Sequence, residues 1–209
     1  MFTTKKLYPS LSKQLNLLGI ETPTDIQKEA LPKIKSGSNV FVVAPHSAGK
    51  TMLAVIFLLN KLKYELEEED VPRAIVVVPT KEKALIFKEL IETYGKYAHL
   101  RVKCAYSEED LEIQRDDVYL GADVVVGTAK RLGDLYSGTG LNIKLMNTLI
   151  VDDFDQILKQ DALTQIERLA VANPKVQKVF FATTQPSLMC KIIEKVSSNL
   201  IKVVGENPA

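Results

Sequence analysis

Seven short runs of β-branched and other apolar residues punctuate the chain: Asn39–Ala44 (NVFVVA), Ala74–Pro79, Arg101–Tyr106, Ala122–Gly127, Asn147–Asp152, Lys178–Thr183 and Leu200–Gly205. In most of them the apolar residues are consecutive. A strand with one wet face alternates apolar and polar residues, whereas one buried on both faces does not. The runs therefore predict strands of a parallel sheet. Helical spacing fills the intervals. Thr51–Leu66 is the longest such segment, and Lys81–Tyr97 places Ala84, Phe87, Leu90, Ile91 and Tyr94 on one stripe. Asp161–Ala170 and Pro186–Val196 follow the same period. Strands alternating with helices predict an α/β fold: a mostly parallel central sheet of about seven strands with helices on both faces.

The 209 residues suit one sizeable domain, and 46% hydrophobic with 25% charged residues supplies a core without disulfides or metals. Net charge is +1, which excludes global basicity as an argument for nucleic-acid binding and leaves a local patch. Cys104 and Cys190 stand far apart and outside any metal-ligand spacing, so buried thiols in a reducing compartment are expected. No apolar run reaches the ~18 residues of a membrane helix. The start, MFTTKKLYPS, lacks the apolar centre of a secretion signal. An intracellular protein, cytoplasmic or nuclear, without a membrane partner is expected. Glu65–Asp70 reads as a solvated connection, and Tyr136–Asn142 as a Gly-rich surface loop.

In such a sheet, ligands bind beyond the C-terminal ends of the strands. After the first run comes Ala44–Thr51, APHSAGKT, at the head of the long helix. Strand, turn, Gly-Lys-Thr, helix is the setting of a phosphate-binding loop. Backbone N–H groups and the helix dipole would face the phosphates, Lys50 would reach the outer ones, and the Thr51 hydroxyl would hold Mg²⁺. After the fifth run comes Val151–Asp155, VDDFD. Asp152 would hold Mg²⁺ through its waters, and Asp153 would orient the attacking water. The same aspartates could simply cap a helix; pairing with the phosphate loop favours the metal reading.

Together these residues resemble the DEAD-box RNA helicases, specifically their N-terminal RecA-like domain, over nearly the whole chain and in motif order. Gly19–Gln27, GIETPTDIQ, is similar to the Q motif that reads adenine through Gln27. Ile20 stands at the family's aromatic position there, and Phe2 at the upstream aromatic that stacks on the base. By this resemblance the nucleotide set is Phe2, Ile20, Thr22, Gln27, His46, Ser47, Ala48, Gly49, Lys50, Thr51 and Met52. Lys50, Asp152 and Asp153 form the catalytic set, with Thr51 and Asp152 at the metal. Pro79–Ile86 resembles motif Ia and Val126–Leu132 motif Ib, which implies RNA-backbone contacts from Pro79, Thr80, Lys81, Thr128, Lys130 and Arg131. Phe181–Pro186 sits at motif III, with Thr184 retained and Asp155 available to tie motif II to it. A double-glycine RNA contact expected near Cys104–Asp110 is absent.

The resemblance implies a RecA-like P-loop NTPase fold, ATP and Mg²⁺ as cofactors, and single-stranded RNA as partner. It also implies a C-terminal RecA-like domain of the same protein, which supplies an arginine finger and half of the RNA surface, and protein partners in ribonucleoprotein complexes. Residues 1–37 would form the Q-motif region, 38–205 the core and 206–209 the start of a linker. Departures from the family pattern gather at the chemistry. Ser47 replaces a glycine and His46 a threonine, a strain of order 1 kcal/mol if φ is positive at Ser47. Asp153 is one methylene shorter than the family's glutamate, and Phe154 replaces alanine, adding bulk beside the metal site. Ala182 removes a hydroxyl from motif III. Lys81 lacks the fork of an arginine, and Ala129 and Lys130 replace Pro-Gly. The expectation is a divergent helicase domain with weak binding and slow hydrolysis; the alternative is a scaffold that no longer turns over. Tudor-domain helicase-like proteins are one group with such divergence. An ordinary P-loop kinase or GTPase does not fit the Q-motif match.

Overall fold

The computed structural model describes residues 7–65, 70–160, 162–185, 187–197 and 199–205. Among them seven strands, β1 (Val40–Val43), β2 (Ala74–Val78), β3 (Val102–Ala105), β4 (Val124–Thr128), β5 (Thr148–Val151), β6 (Gln177–Ala182) and β7 (Ile201–Val204), form one sheet in the order β3-β4-β2-β5-β6-β1-β7. Every neighbouring pair is parallel. The strands fall on the expected runs to within one or two residues; the central ones are buried on both faces, while the edge strands β3 and β7 are partly open.

The helices are α1 (Pro9–Leu17), α2 (Asp25–Lys35), α3 (Lys50–Leu62), α4 (Lys81–Tyr94), α5 (Leu111–Tyr119), α6 (Ala129–Ser137), α7 (Phe154–Ile157), α8 (Leu163–Val171) and α9 (Ser187–Val196). Strand alternation divides the core in two. Val40, Val42, Val76, Val78, Ile150 and Phe181 pack on the side of α1 to α4. Phe41, Ile75, Val77, Val151 and Phe180 pack on the side of α6 to α9. Every residue of α3 from Leu53 to Leu59 is buried, as befits a helix that is apolar all round; the sheet lies on one side and α1, α2 and α4 close the others.

Two boundaries differ from expectation. The segment Thr51–Leu66 ends its helix at Leu62, because Lys63 turns to φ 62°. The Leu62 and Tyr64 carbonyls then accept from the Arg73 guanidinium. Helix α5 carries too thin an apolar stripe to be legible, with only Gln114 and Val118 buried. It is set by its cap, Asp110, whose carboxylate accepts from the N–H groups of Glu112 and Ile113. In the expected loop Tyr136–Asn142, Tyr136 and Ser137 finish α6. Residues 66–69 of the acidic connection and the expected linker 206–209 lie outside the described residues. Cys104 is half-buried, and burial pushes its thiol up to about 11.

At the edge opposite the strand C-termini, a buried ion network ties three strands. Asp123, 1% exposed, accepts from Arg73 Nη2 at 2.8 Å and from Arg101 Nε at 3.1 Å. Burial raises the Asp123 pKa, but hydrogen bonds from Arg101 and Arg73 outweigh it and hold the group below the usual carboxylate value. Asp123→Asn leaves the buried Arg73 charge uncompensated and is expected to destabilise the fold by about 3 kcal/mol or more in urea titration. With the folded value depressed, the native carboxylate contributes fully above the unfolded value of about 4. That contribution is lost as pH falls through the folded value. A flat native profile below pH 4 would exclude this role.

Candidate nucleotide site

Strand β1 runs into a turn, Ala44–Gly49, that opens α3. Two of its residues adopt left-handed backbone, Ser47 at φ 63° and Gly49 at φ 93°. The positive φ at Gly49 favours glycine, and a Cβ there would lie 2.6 Å from Gln27 Nε2 and displace that amide. Ser47 is exposed and holds its conformation at a cost of about 1 kcal/mol, the strain foreseen for a positive φ.

The turn closes on its own lysine. Lys50 Nζ donates to the carbonyls of Ala44 (2.6 Å) and Pro45 (2.8 Å) and to the Thr183 hydroxyl (3.2 Å). Burial holds the Lys50 pKa below the usual lysine value, against the attraction of Asp153, Asp152 and Asp155. The segment before α2 is tied to the same turn. Gln27 Oε1 accepts from the Thr24 N–H (3.0 Å), Gln27 Nε2 donates to the Gly49 carbonyl (3.1 Å), and the Thr24 hydroxyl donates to the Ala48 carbonyl (2.8 Å). Ile20, Ala48 and Met52 are half-buried against the core, while Thr22 and His46 are exposed. Phe2 lies outside the described residues.

Thr51 and Asp152 meet across 101 residues of sequence, the hydroxyl donating to Asp152 Oδ2 at 2.8 Å. Asp152 is fully buried, and its Oδ1 has no partner among the described residues. Burial pushes the Asp152 pKa up, with Lys83 opposing. Lys83 Nζ stands 2.8 Å from Asp153 Oδ2 and 3.4 Å from Asp152 Oδ2. Burial lowers the Lys83 pKa, but Asp152 and Asp153 outweigh it and hold the ammonium above its usual value. Asp155 accepts from the Thr184 N–H and hydroxyl, both at 3.1 Å, and from the Thr183 N–H at 3.3 Å. These oxygens suit a hard cation that takes one or two carboxylates and completes its shell with water and phosphate. The orphaned Asp152 Oδ1 fits that use. Among the described residues no group of three or more His, Cys, Asp or Glu forms a fuller metal cage.

Phe154, expected to crowd the metal site, points away from it. Asp153 adopts left-handed backbone (φ 49°) at the head of α7. The turn carries the Phe154 ring to the other face of the sheet, 5.5 Å from the Phe180 ring centroid.

The residues expected at RNA lie at the ends of the adjacent strands β2 and β4, where Val78 is in register with Thr128. Pro79 is buried, Thr80 caps α4, and Lys81 Nζ sits 4.7 Å above the Tyr106 ring. Lys130 is exposed. Arg131 is 7% exposed and donates through Nη2 to the Ser107 (3.2 Å) and Glu109 (2.8 Å) carbonyls. Its Nε and Nη1, and the Thr128 hydroxyl, are buried without a partner among the described residues.

Sequence reasoning missed Lys83, Thr183 and Thr24. Lys83 had a signal: it lies four residues before Phe87, on the stripe that α4 turns to the core, where an apolar residue is the norm. Thr183 and Thr24 had none, since a hydroxyl at a strand end or before a helix is ordinary.

The family model for DEAD/DEAH box helicases matches residues 24–192. The chain belongs to the DEAD/DEAH box helicase family. It is 31% identical over 196 residues to the ATP-dependent RNA helicase DeaD of Mycobacterium tuberculosis, covering 93% of this chain and 34% of the relative. It is 30% identical over 207 residues to the human probable ATP-dependent RNA helicase DDX46, covering 95% of this chain and 19% of the relative. The chain thus spans 34% and 19% of the length of those two relatives. The crystal structure of a DEAD box protein from Methanococcus jannaschii superposes with a TM-score of 0.88 at 24% identity, over 96% of this chain and 54% of that one. The fold is that of the DEAD-box N-terminal RecA-like domain. Among the described residues no helix is long and apolar enough to cross a membrane.

Because Ser47 is exposed and left-handed, Ser47→Gly in this DEAD-box domain is expected to raise stability by about 1 kcal/mol or slightly less. Urea unfolding checks this; a loss of stability would mean that the turn does not hold Ser47 at positive φ.

Proposed function

We propose that the chain is the nucleotide-binding lobe of a divergent DEAD-box RNA helicase, which binds ATP with Mg²⁺ and the backbone of single-stranded RNA. The observation that carries this reading is the meeting of Thr51 with Asp152 beside Lys50. Thr51 and Asp152 would hold Mg²⁺, which when bound would screen the phosphate charge. Lys50 would leave its loop carbonyls for the outer phosphates, and Gln27 would offer its amide to the adenine edge once released from Gly49. Asp153 would orient the attacking water with a shorter arm than glutamate, which makes hydrolysis slow. Pro79, Thr80, Lys81, Thr128, Lys130 and Arg131 would form the RNA face. A second RecA-like domain of the same protein would complete both sites, so this lobe alone turns over little. Protein partners in a ribonucleoprotein complex belong to the same reading.

A scaffold without turnover is the second reading. It is favoured by the turn's closure on Lys50 and by the strain at Ser47.

Titration of a fluorescent ATP analogue with Mg²⁺ tests the first reading. Binding weakened at least tenfold in Gln27→Ala and Lys50→Ala, about 1.4 kcal/mol or more, is expected. No binding at millimolar nucleotide would exclude a live site. In the two-lobed protein with RNA, Asp153→Glu is expected to raise the hydrolysis rate; an unchanged rate would clear Asp153 of the impairment. RNA affinity is expected to fall as salt rises, and a flat response would exclude backbone contacts.

A further inference from the structure

Asp152 and Asp153 present two carboxylates at the end of β5, facing the turn that opens α3. Among the described residues, Lys83 is the one cation within 4.0 Å of either. Lys50 spends its hydrogen bonds on the Ala44 and Pro45 carbonyls and the Thr183 hydroxyl instead. The Lys83 ammonium contacts Oδ2 of both aspartates, and Asp152 Oδ2 is also the oxygen that accepts from Thr51. A divalent ion held by Thr51 and Asp152 would take the free Asp152 Oδ1, on the same carboxylate that the ammonium already contacts.

Lys83 is delivered by a rigid element. It stands in the first turn of α4, where its N–H donates to the Thr80 hydroxyl at 3.2 Å. The next residue, Ala84, and Phe87 one turn on are fully buried and fix the helix against the sheet. The lysine stem follows the edge of that apolar stripe and leaves the side chain 24% exposed, with the charge at the strand ends.

We propose that Lys83 is a built-in counter-ion of the nucleotide site. It stands against the Oδ2 atoms of Asp152 and Asp153 beside the divalent-cation position, competes with the ion through its charge, and makes nucleotide binding by this chain nearly independent of divalent cation. The second half of this proposal rests on the nucleotide-site reading given above; the first half does not. A fixed unit charge within a few ångströms of the metal oxygens opposes a divalent ion directly, and it also screens the two carboxylates from incoming phosphates.

Mn²⁺ binding to the 209-residue chain, followed by electron paramagnetic resonance without nucleotide, tests the first half. Lys83→Met is expected to bind Mn²⁺ roughly tenfold tighter than the native chain, equivalent to about 1.4 kcal/mol. Lys83→Arg keeps the charge and stays at the native value. Adding Asp152→Asn to Lys83→Met removes the gain, which places the ion on these oxygens. Lys83→Gln serves as a second neutral variant should the methionine variant not fold. Equal Mn²⁺ affinity in the native and neutral variants overturns the proposal. Fluorescent ATP-analogue titrations in EDTA and in Mg²⁺ test the second half. The two dissociation constants are expected to agree within roughly threefold for the native chain and to separate by roughly tenfold or more in Lys83→Met. A strong Mg²⁺ requirement in the native chain overturns the cation independence while leaving the nucleotide site standing. Absence of nucleotide binding in every condition, with the Mn²⁺ gain intact, sinks the nucleotide reading and leaves Lys83 as the cation of the acidic pair.

Discussion

Helix α3 is buried from Leu53 to Leu59 on every side, and the site depends on that burial. A helix enclosed by the sheet, α1, α2 and α4 cannot slide or tilt without opening the core. Its first turn, Lys50 and Thr51, is therefore fixed at the end of β1. Strand β6 lies between β1 and β5 in the sheet, so Asp152, at the end of β5, arrives two strand positions from β1. Thr183, at the end of β6, fills the gap and accepts from Lys50. The chemistry is thus held by packing, while the turn Ala44–Gly49 is the adjustable part.

That turn is internally satisfied. Lys50 neutralises none of the aspartates at ion-pair distance; its ammonium is taken up by two backbone carbonyls of the loop it belongs to. Gln27 is likewise engaged, with Thr24 and Gly49. Nucleotide binding would exchange these contacts for phosphate and base contacts, which lowers net affinity by whatever the closed turn is worth.

The fold was almost wholly legible. Consecutive apolar residues in AIVVV and VVVGT admit little besides a strand buried on both faces, and the structure places β2 and β4 there. What could not be read was local. Helix α5 follows from a cap at Asp110 rather than a stripe, and α3 stops because one lysine, Lys63, turns left-handed. In the site, the meeting of the Gly-Lys-Thr end with Asp152 could be read because backbone context puts both at strand C-termini. The direction of Phe154 could not, because the left-handed turn at Asp153 has no sequence mark. Lys83 is marked by its place on the core-facing stripe of α4, but the sequence alone does not show that the stripe's first turn reaches the β5 end.

The most direct measurement is a crystal structure of the chain with a non-hydrolysable adenine nucleotide. Lys50 Nζ is expected to leave the Ala44 and Pro45 carbonyls for the phosphates, with α3 and Asp152 unmoved and the change confined to residues 44–49. A nucleotide bound while Lys50 keeps those carbonyls, or bound away from the β1 and β5 ends, would contradict the proposed site.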